Sequence, residues 1–191
     1  VLLVCFGVAL TAVSRMAMAA AIGVPEQDSY AIAQSTGGEV TEAVPAISYY
    51  NPAGMVLIEG DEVESDLTLY DIHSEVNSTL IANPAVVEGP GLSGHATGFV
   101  ESDVVATAFG VFSLPDGIKL GFDVTQPNGG RVKYPADFAG DQEGDEALLT
   151  DVQAGLSVAV PVTDQLSVGG GPVLDYFQSI LGVTQNLPLG L

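Results

Sequence analysis

Two superimposed rhythms constrain this chain more than any other feature. After residue 62, segments in which apolar and polar residues alternate one by one are separated by Gly-, Asp- and Pro-rich connections, and the connections alternate between long and short. In segment 117–127, Ile118, Leu120, Phe122 and Val124 fall on one face, and Lys119, Gly121, Asp123 and Thr125 fall on the other. Successive strand residues point to opposite sides, so this is a strand with one apolar and one polar face. Segment 150–161 repeats the pattern, with Val152, Ala154, Leu156, Val158 and Val160 opposing Asp151, Gln153, Gly155, Ser157 and Ala159. Segment 165–180 does so again, with Leu166, Val168, Leu174, Tyr176 and Ile180 opposing Gln165, Ser167, Asp175 and Ser179. Two earlier strands are less regular, over about 62–72 and 103–113.

The connections carry the topology. Leu114-Pro115-Asp116-Gly117 joins the second strand to the third, and Val162-Thr163-Asp164-Gln165 joins the fourth to the fifth. Pro, Asp and Gly supply the geometry of a tight turn in the first of these. About 30 residues separate strands one and two, and about 22 separate strands three and four. Long, short, long, short is the spacing of an antiparallel transmembrane β-barrel, with extended external loops and tight periplasmic turns. A soluble β-sandwich also alternates, but it buries its apolar face against a second sheet and places larger aromatic residues there. The faces here are small and aliphatic.

Composition supports the same reading. Hydrophobic residues make up 47% of the chain, yet 24 acidic and 4 basic side chains give a net charge of −20. A helical membrane protein shows long uncharged runs flanked by Lys and Arg. A barrel reconciles the two numbers, because its apolar residues alternate with polar ones and its charges collect in loops. So few cations cannot build a phosphate-binding surface, which excludes nucleic acid as a partner.

Residues 1–21 read as a secretory signal peptide. An apolar run, Val1 to Leu10, leads to the small-residue tract Met16-Ala17-Met18-Ala19-Ala20-Ala21, with cleavage expected after Ala19 or Ala21. The run falls short of the roughly 20 apolar residues of a spanning helix. Cys5, the only cysteine, lies inside this segment, so no disulfide or thiol chemistry is expected of the mature protein.

Catalytic and metal chemistry find little support. His73 and His95, the only histidines, sit in no nucleophile or ligand motif. Asp141, Glu143, Asp145 and Glu146 form an acidic loop cluster at a spacing that could contact Ca²⁺, although a solvated loop is the simpler reading. Gly169-Gly170-Gly171 lacks the Lys and helix start of a phosphate cradle and reads as a strand with close backbone approach. No catalytic residue, no metal site and no cofactor is therefore expected.

Between the signal and the first strand lies SYAIAQSTGGEVTEAVPAISYYNPAGM, residues 29–55. Its end, Tyr49-Tyr50-Asn51-Pro52-Ala53-Gly54-Met55, resembles the Asn-Pro-Ala motif near the mature N-terminus of the FadL/TodX family of outer-membrane transport proteins. Val162 to Gly171 is similar to that family's hairpin between strands four and five. One departure is Asp137 to Gln142, which replaces the tryptophan and Gly-Arg-Tyr common in the family's second long loop.

The resemblance implies an all-β, monomeric, fourteen-stranded barrel in the cell outer membrane, of which this chain would hold the first five strands, residues 57–191. It also implies an N-terminal hatch, residues 22–56, folded inside the lumen, with Tyr49, Tyr50, Asn51, Pro52, Ala53 and Gly54 as its motif. Pro45 and Pro52 interrupt strand pairing and suit such an insert better than a wall strand. The implied function is passive uptake of hydrophobic molecules, long-chain fatty acids first and aromatic hydrocarbons second, with lateral release through the wall into lipid. An outer-membrane lipid-modifying enzyme and a structural or adhesive barrel are the alternatives; neither has a use for the hatch motif.

Overall fold

The computed structural model describes residues 23–34, 41–77, 94–138 and 145–182. The expected signal segment, and Asp141 and Glu143 of the acidic loop, lie outside the described residues. The elements in chain order are α1 (Ser29–Gln34), α2 (Ile47–Tyr50), a 3-10 turn (Pro52–Leu57), then strands β1 (Glu62–Tyr70), β2 (Glu75–Asn77), β3 (His95–Thr97) and β4 (Asp103–Ser113). After a second 3-10 turn (Pro115–Gly117) come β5 (Lys119–Lys133), β6 (Glu146–Thr163), β7 (Leu166–Gly170) and β8 (Val173–Gly182).

One antiparallel sheet dominates, in the order β1-β4-β5-β6, with β7 and β8 both paired to β6. β1 and β8 do not pair with each other, so the sheet is open. The tight β4–β5 turn depends on two successive left-handed residues, Asp116 (φ 62°) and Gly117 (φ 75°). Asp tolerates that region better than most residues and Gly adopts it freely, which is why this dipeptide closes the hairpin. β2 and β3 form a separate two-stranded ladder inside the long β1–β4 connection.

The pairing register keeps the alternating rows in phase from strand to strand. Leu120 faces Val158, Phe122 faces Leu156, and Val124 faces Ala154, so one face of the sheet is a continuous apolar surface. Phe122 reaches across to lie over Gly110 and stacks on Phe112 with ring centroids 6.1 Å apart. Exposed Leu120, Val124, Leu156, Val158 and Val160 make up the rest of that face, which has no other layer against it among the described residues. On the opposite face Lys119 pairs with Ala159, Gly121 with Ser157, and Asp123 with Gly155.

Three boundaries differ from those the sequence implied. β5 runs to Lys133 and β6 begins at Glu146, so the connection between them is 134–145 and not 128–149. Alternation weakens at Gln126 to Gly130 because the strand carries a register shift between Thr125 and Asn128, and pairing resumes beyond it. The expected single strand 165–180 is divided at Gly171 and Pro172. Its two halves nevertheless share one register along β6, since Val158 pairs with Gly170 and Gly155 with Val173. Pro172 has no N–H to give, but its carbonyl accepts from Leu156 N at 3.1 Å; a Cβ at Gly171 would collide with the Leu156 carbonyl.

The core lies between the sheet's polar face and the segment that precedes β1. Ile47, Met55 and Ile58 pack there against Val111 and Ala159. Burying an aliphatic side chain of this size contributes about 1.5–3 kcal/mol. Lys119 and Asp123, expected to face an aqueous interior, are instead 7% and 5% exposed, because this segment covers them. In the assembled membrane protein a cysteine at 120 or 156 should therefore react only with a lipid-soluble maleimide. A cysteine at 123 should resist that reagent and react with a polar one only once the preceding segment is displaced. Lipid-phase labelling at 123 would show that the register is displaced by one residue.

Candidate functional site

The six motif residues form one compact turn seated on the sheet. Tyr49 and Tyr50 end α2, their rings edge to face with centroids 4.9 Å apart. Asn51 takes an extended conformation (φ −151°, ψ 82°) between two helical turns; its N–H donates to Ile47 O at 2.8 Å and its carbonyl accepts from Gly54 N at 2.8 Å. Pro52 begins the 3-10 turn, where its missing N–H costs nothing and its fixed φ suits the start of a helical turn. Gly54 leaves room for the buried Ile47 side chain, which would have to shift if a Cβ were added there.

Small residues on the sheet make room for this turn. Ala53 O accepts from Ser167 Oγ at 2.9 Å, and its backbone lies directly over Gly169. Met55 sits over Gly121, with its Sδ 3.6 Å from Ser157 Oγ. Ser48 Oγ is within hydrogen-bonding distance of Pro45 O (2.9 Å) and Phe122 O (3.2 Å). Where the turn ends, buried Lys119 donates from Nζ to Ile58 O at 2.5 Å and to Ser113 Oγ at 2.7 Å. Among the described residues no carboxylate lies within ion-pair distance of this ammonium, so its partners are neutral oxygens.

The first described residues occupy a second place on the same face, where β4 and β5 part. Ladder pairing between these strands stops at Ala108 and Val124. Beyond it, Gly23 bridges Asn128 and Val24 N donates to Pro127 O at 2.8 Å. Gln27 imitates a strand residue with its side chain, accepting from Gln126 N at 2.7 Å and donating to Gln126 O at 3.1 Å. Its own carbonyl accepts from Thr107 Oγ1 of β4 at 2.7 Å. Tyr50 joins the two contact regions: its hydroxyl accepts from Gln27 N at 2.7 Å and donates to Pro25 O at 3.1 Å. Further along, Glu64 Oε2 accepts from Ala46 N and Asp66 Oδ1 from Ser29 N, both at 3.2 Å.

The face beneath these segments is acidic. Glu64, Asp66, Asp123, Asp151 and Asp175 occupy its strands, against the single ammonium of Lys119. Burial raises the Tyr49 phenol above its ordinary pKa, and nearby Asp123 and Asp151 push it the same way, so it stays protonated. A cavity of about 350 Å³ opens beside the β4–β5 parting, lined by residues that include Asp103, Gln126, Asn128, Arg131 and Asp151.

At the outer ends of the strands, Phe99, Tyr134 and Phe138 stack in series at 4.8 and 5.0 Å, tying the two long connections together. Phe138 belongs to the stretch that departs from the family's usual second loop. His95 Nδ1 lies 2.6 Å from Asn77 Oδ1 in the β2–β3 ladder, and His73 is exposed between β1 and β2. Glu146, one of the acidic-loop candidates, pairs with Arg131 at 2.6 Å. No group of three potential metal ligands occurs among the described residues. Gln27, Ser48, Lys119, Asp151 and Ser167 were not foreseen as site residues; only the glycines at 121 and 169, unusual inside strands, marked the places where another backbone comes close.

A family model described as outer membrane protein transport protein (OMPP1/FadL/TodX) matches residues 10–188. Among solved structures, the chain is similar to a crystal structure of a Pseudomonas aeruginosa FadL homologue, at 19% sequence identity and a TM-score of 0.64. That match covers 84% of this chain and 38% of the other, so the chain spans well under half the length of that protein. No curated protein matches it.

Proposed function

The chain belongs to the FadL/TodX family of outer membrane transport proteins, and from this premise we propose that it forms the N-terminal wall and hatch of a channel for passive uptake of hydrophobic molecules. Long-chain fatty acids are the first substrates to test and aromatic hydrocarbons the second. The observation that carries the reading is the Tyr49–Gly54 turn seated on Ser167 and Gly169 of the polar face, with Met55, the next residue, over Gly121. An apolar outer face suits lipid, and an insert packed on the inner face through Ile47, Met55 and Ile58 together with a few polar contacts suits a stopper.

The parting of β4 and β5 supplies the exit. Residues 23–27 cover it, held by the Gly23 bridge and the Gln27 bonds. Displacing them would expose a gap in the wall leading to the apolar face, which is the geometry lateral release into lipid requires. Neither an enzyme nor an adhesive barrel needs such a seated turn.

The test is replacement of Asn51 and Pro52 together by Ala in the complete outer-membrane protein. Losing the fixed φ of Pro52 frees the unseated chain and weakens seating by about 1 kcal/mol. Hydrophobic uptake should change several-fold while heat-modifiable gel mobility, the mark of an assembled barrel, stays the same. Unaltered uptake in a correctly assembled variant would remove the hatch role from this motif.

A further inference from the structure

The parting of β4 and β5 is a window closed at both ends. At one end the ladder stops at Ala108 and Val124. At the other, the stretch leading into β4 is tied to β5 again, by the Val100–Val132 bridge and by bonds from Glu101 N to Arg131 O at 2.9 Å and from Lys133 N to Phe99 O at 2.7 Å. Backbone groups between these ties lack ladder partners, and hydrocarbon offers no water to replace them. The N–H of Ala106 in β4 is one such group, and it donates to the side-chain Oε1 of Gln126 in β5 at 3.2 Å. Gln126 follows the inward-pointing, fully buried Thr125 and so takes the next place in the row of Leu120, Phe122 and Val124. A polar residue in that apolar row is explained by the bond it makes: its amide does across the window what a ladder bond does elsewhere. Two glutamines therefore cross the gap. Gln27 comes with the insert and grips the backbone N–H and carbonyl of Gln126, whereas the Gln126 side chain belongs to the wall and stays when the insert leaves.

We propose that Gln126 is the gating residue of the lateral exit, a bar carried by the wall that keeps the window shut after residues 23–27 have left it and until a departing solute parts its amide from Ala106. The inference rests on the exit reading above and adds a second barrier to it. The two bars are separable, because Gln27 holds only main-chain atoms of Gln126. Replacing the Gln126 side chain thus removes the outer bar and leaves the bonds of the insert in place.

The test uses the complete protein in nanodiscs with brominated lipid chains. Pyrenedecanoate is delivered from albumin, quenching reports its arrival in the bilayer, and empty nanodiscs give the baseline. Gln126→Ala should speed protein-dependent quenching about 2- to 10-fold, the equivalent of one net hydrogen bond, in the natural background or in a Gln27→Ala background where the insert's own hold is weakened. Conductance in planar bilayers should stay the same, since the insert remains seated. Gln126→Asn, one methylene too short to reach Ala106, should behave like Gln126→Ala and guards against a folding defect in that variant. Gln126→Glu keeps an acceptor at the natural reach and should hold the rate at or below that of the natural protein. Unchanged quenching by Gln126→Ala in both backgrounds, or a faster rate accompanied by an equal rise in conductance, would overturn the inference while leaving the channel intact. Absence of protein-dependent quenching by the natural protein would remove the exit reading, and this inference with it.

Discussion

Gly169→Val in the complete protein is expected to unseat the Asn51–Gly54 turn and leave an assembled but leaking barrel. A Cβ at residue 169 would collide with backbone atoms of Pro52 and Ala53, which cannot rotate away as the end of a flexible side chain can. Either β7 bends or the turn moves. β7 is tied along β6 from Val158–Gly170 to Thr163–Leu166, whereas the turn is held to β7 by the Ser167–Ala53 bond, so the turn gives way. Overpacking of this kind costs about 1–3 kcal/mol, which shifts a seated–unseated equilibrium by about 5- to 150-fold. Conductance in planar bilayers and influx of a large hydrophilic antibiotic should rise accordingly, with heat-modifiable mobility unchanged. Gly170→Val is the control, because a Cβ there meets nothing within 4 Å. Equal conductance of the two variants would mean that the turn does not occlude the passage.

The wall was legible in the sequence because a strand with lipid on one side and polar groups on the other must alternate, as Leu120/Gly121 and Leu156/Ser157 do. Legibility failed where a third body touches the wall. β4 carries apolar residues on both faces, with Val105, Phe109 and Val111 buried on the inner side, because its inner face packs under the insert. Its period-two signal is blurred for that reason. The same cause hid the site: nothing local marks Lys119 or Asp151 as more than polar-face residues, since their partners are 61 residues away at Ile58 and 23 away at Asn128. The Asn51-Pro52-Ala53-Gly54 turn was visible through its resemblance to a family motif and through Pro52, which interrupts strand pairing. What it sits on was not, since docking is a property of the folded pair of surfaces.

Neighbouring residues of β6 should therefore fail in different ways. Leu156 lies in the middle of the outward row from Val152 to Val160, opposite Phe122, and is 59% exposed on the lipid side. Arginine there places a charge in hydrocarbon at about 2–4 kcal/mol near the midplane, a loss of at least about 30-fold in the folding equilibrium. Leu156→Arg should thus lower the urea midpoint for folding into lipid vesicles and reduce the assembled fraction. Ser157, one residue on, points the other way and lies under Met55 at 3.6 Å. Ser157→Arg has no hydrocarbon to cross; its bulk meets the insert, so assembly should survive while conductance rises. A displacement of the register by one residue would exchange the two phenotypes, and the pair of urea titrations and conductance records measures that directly.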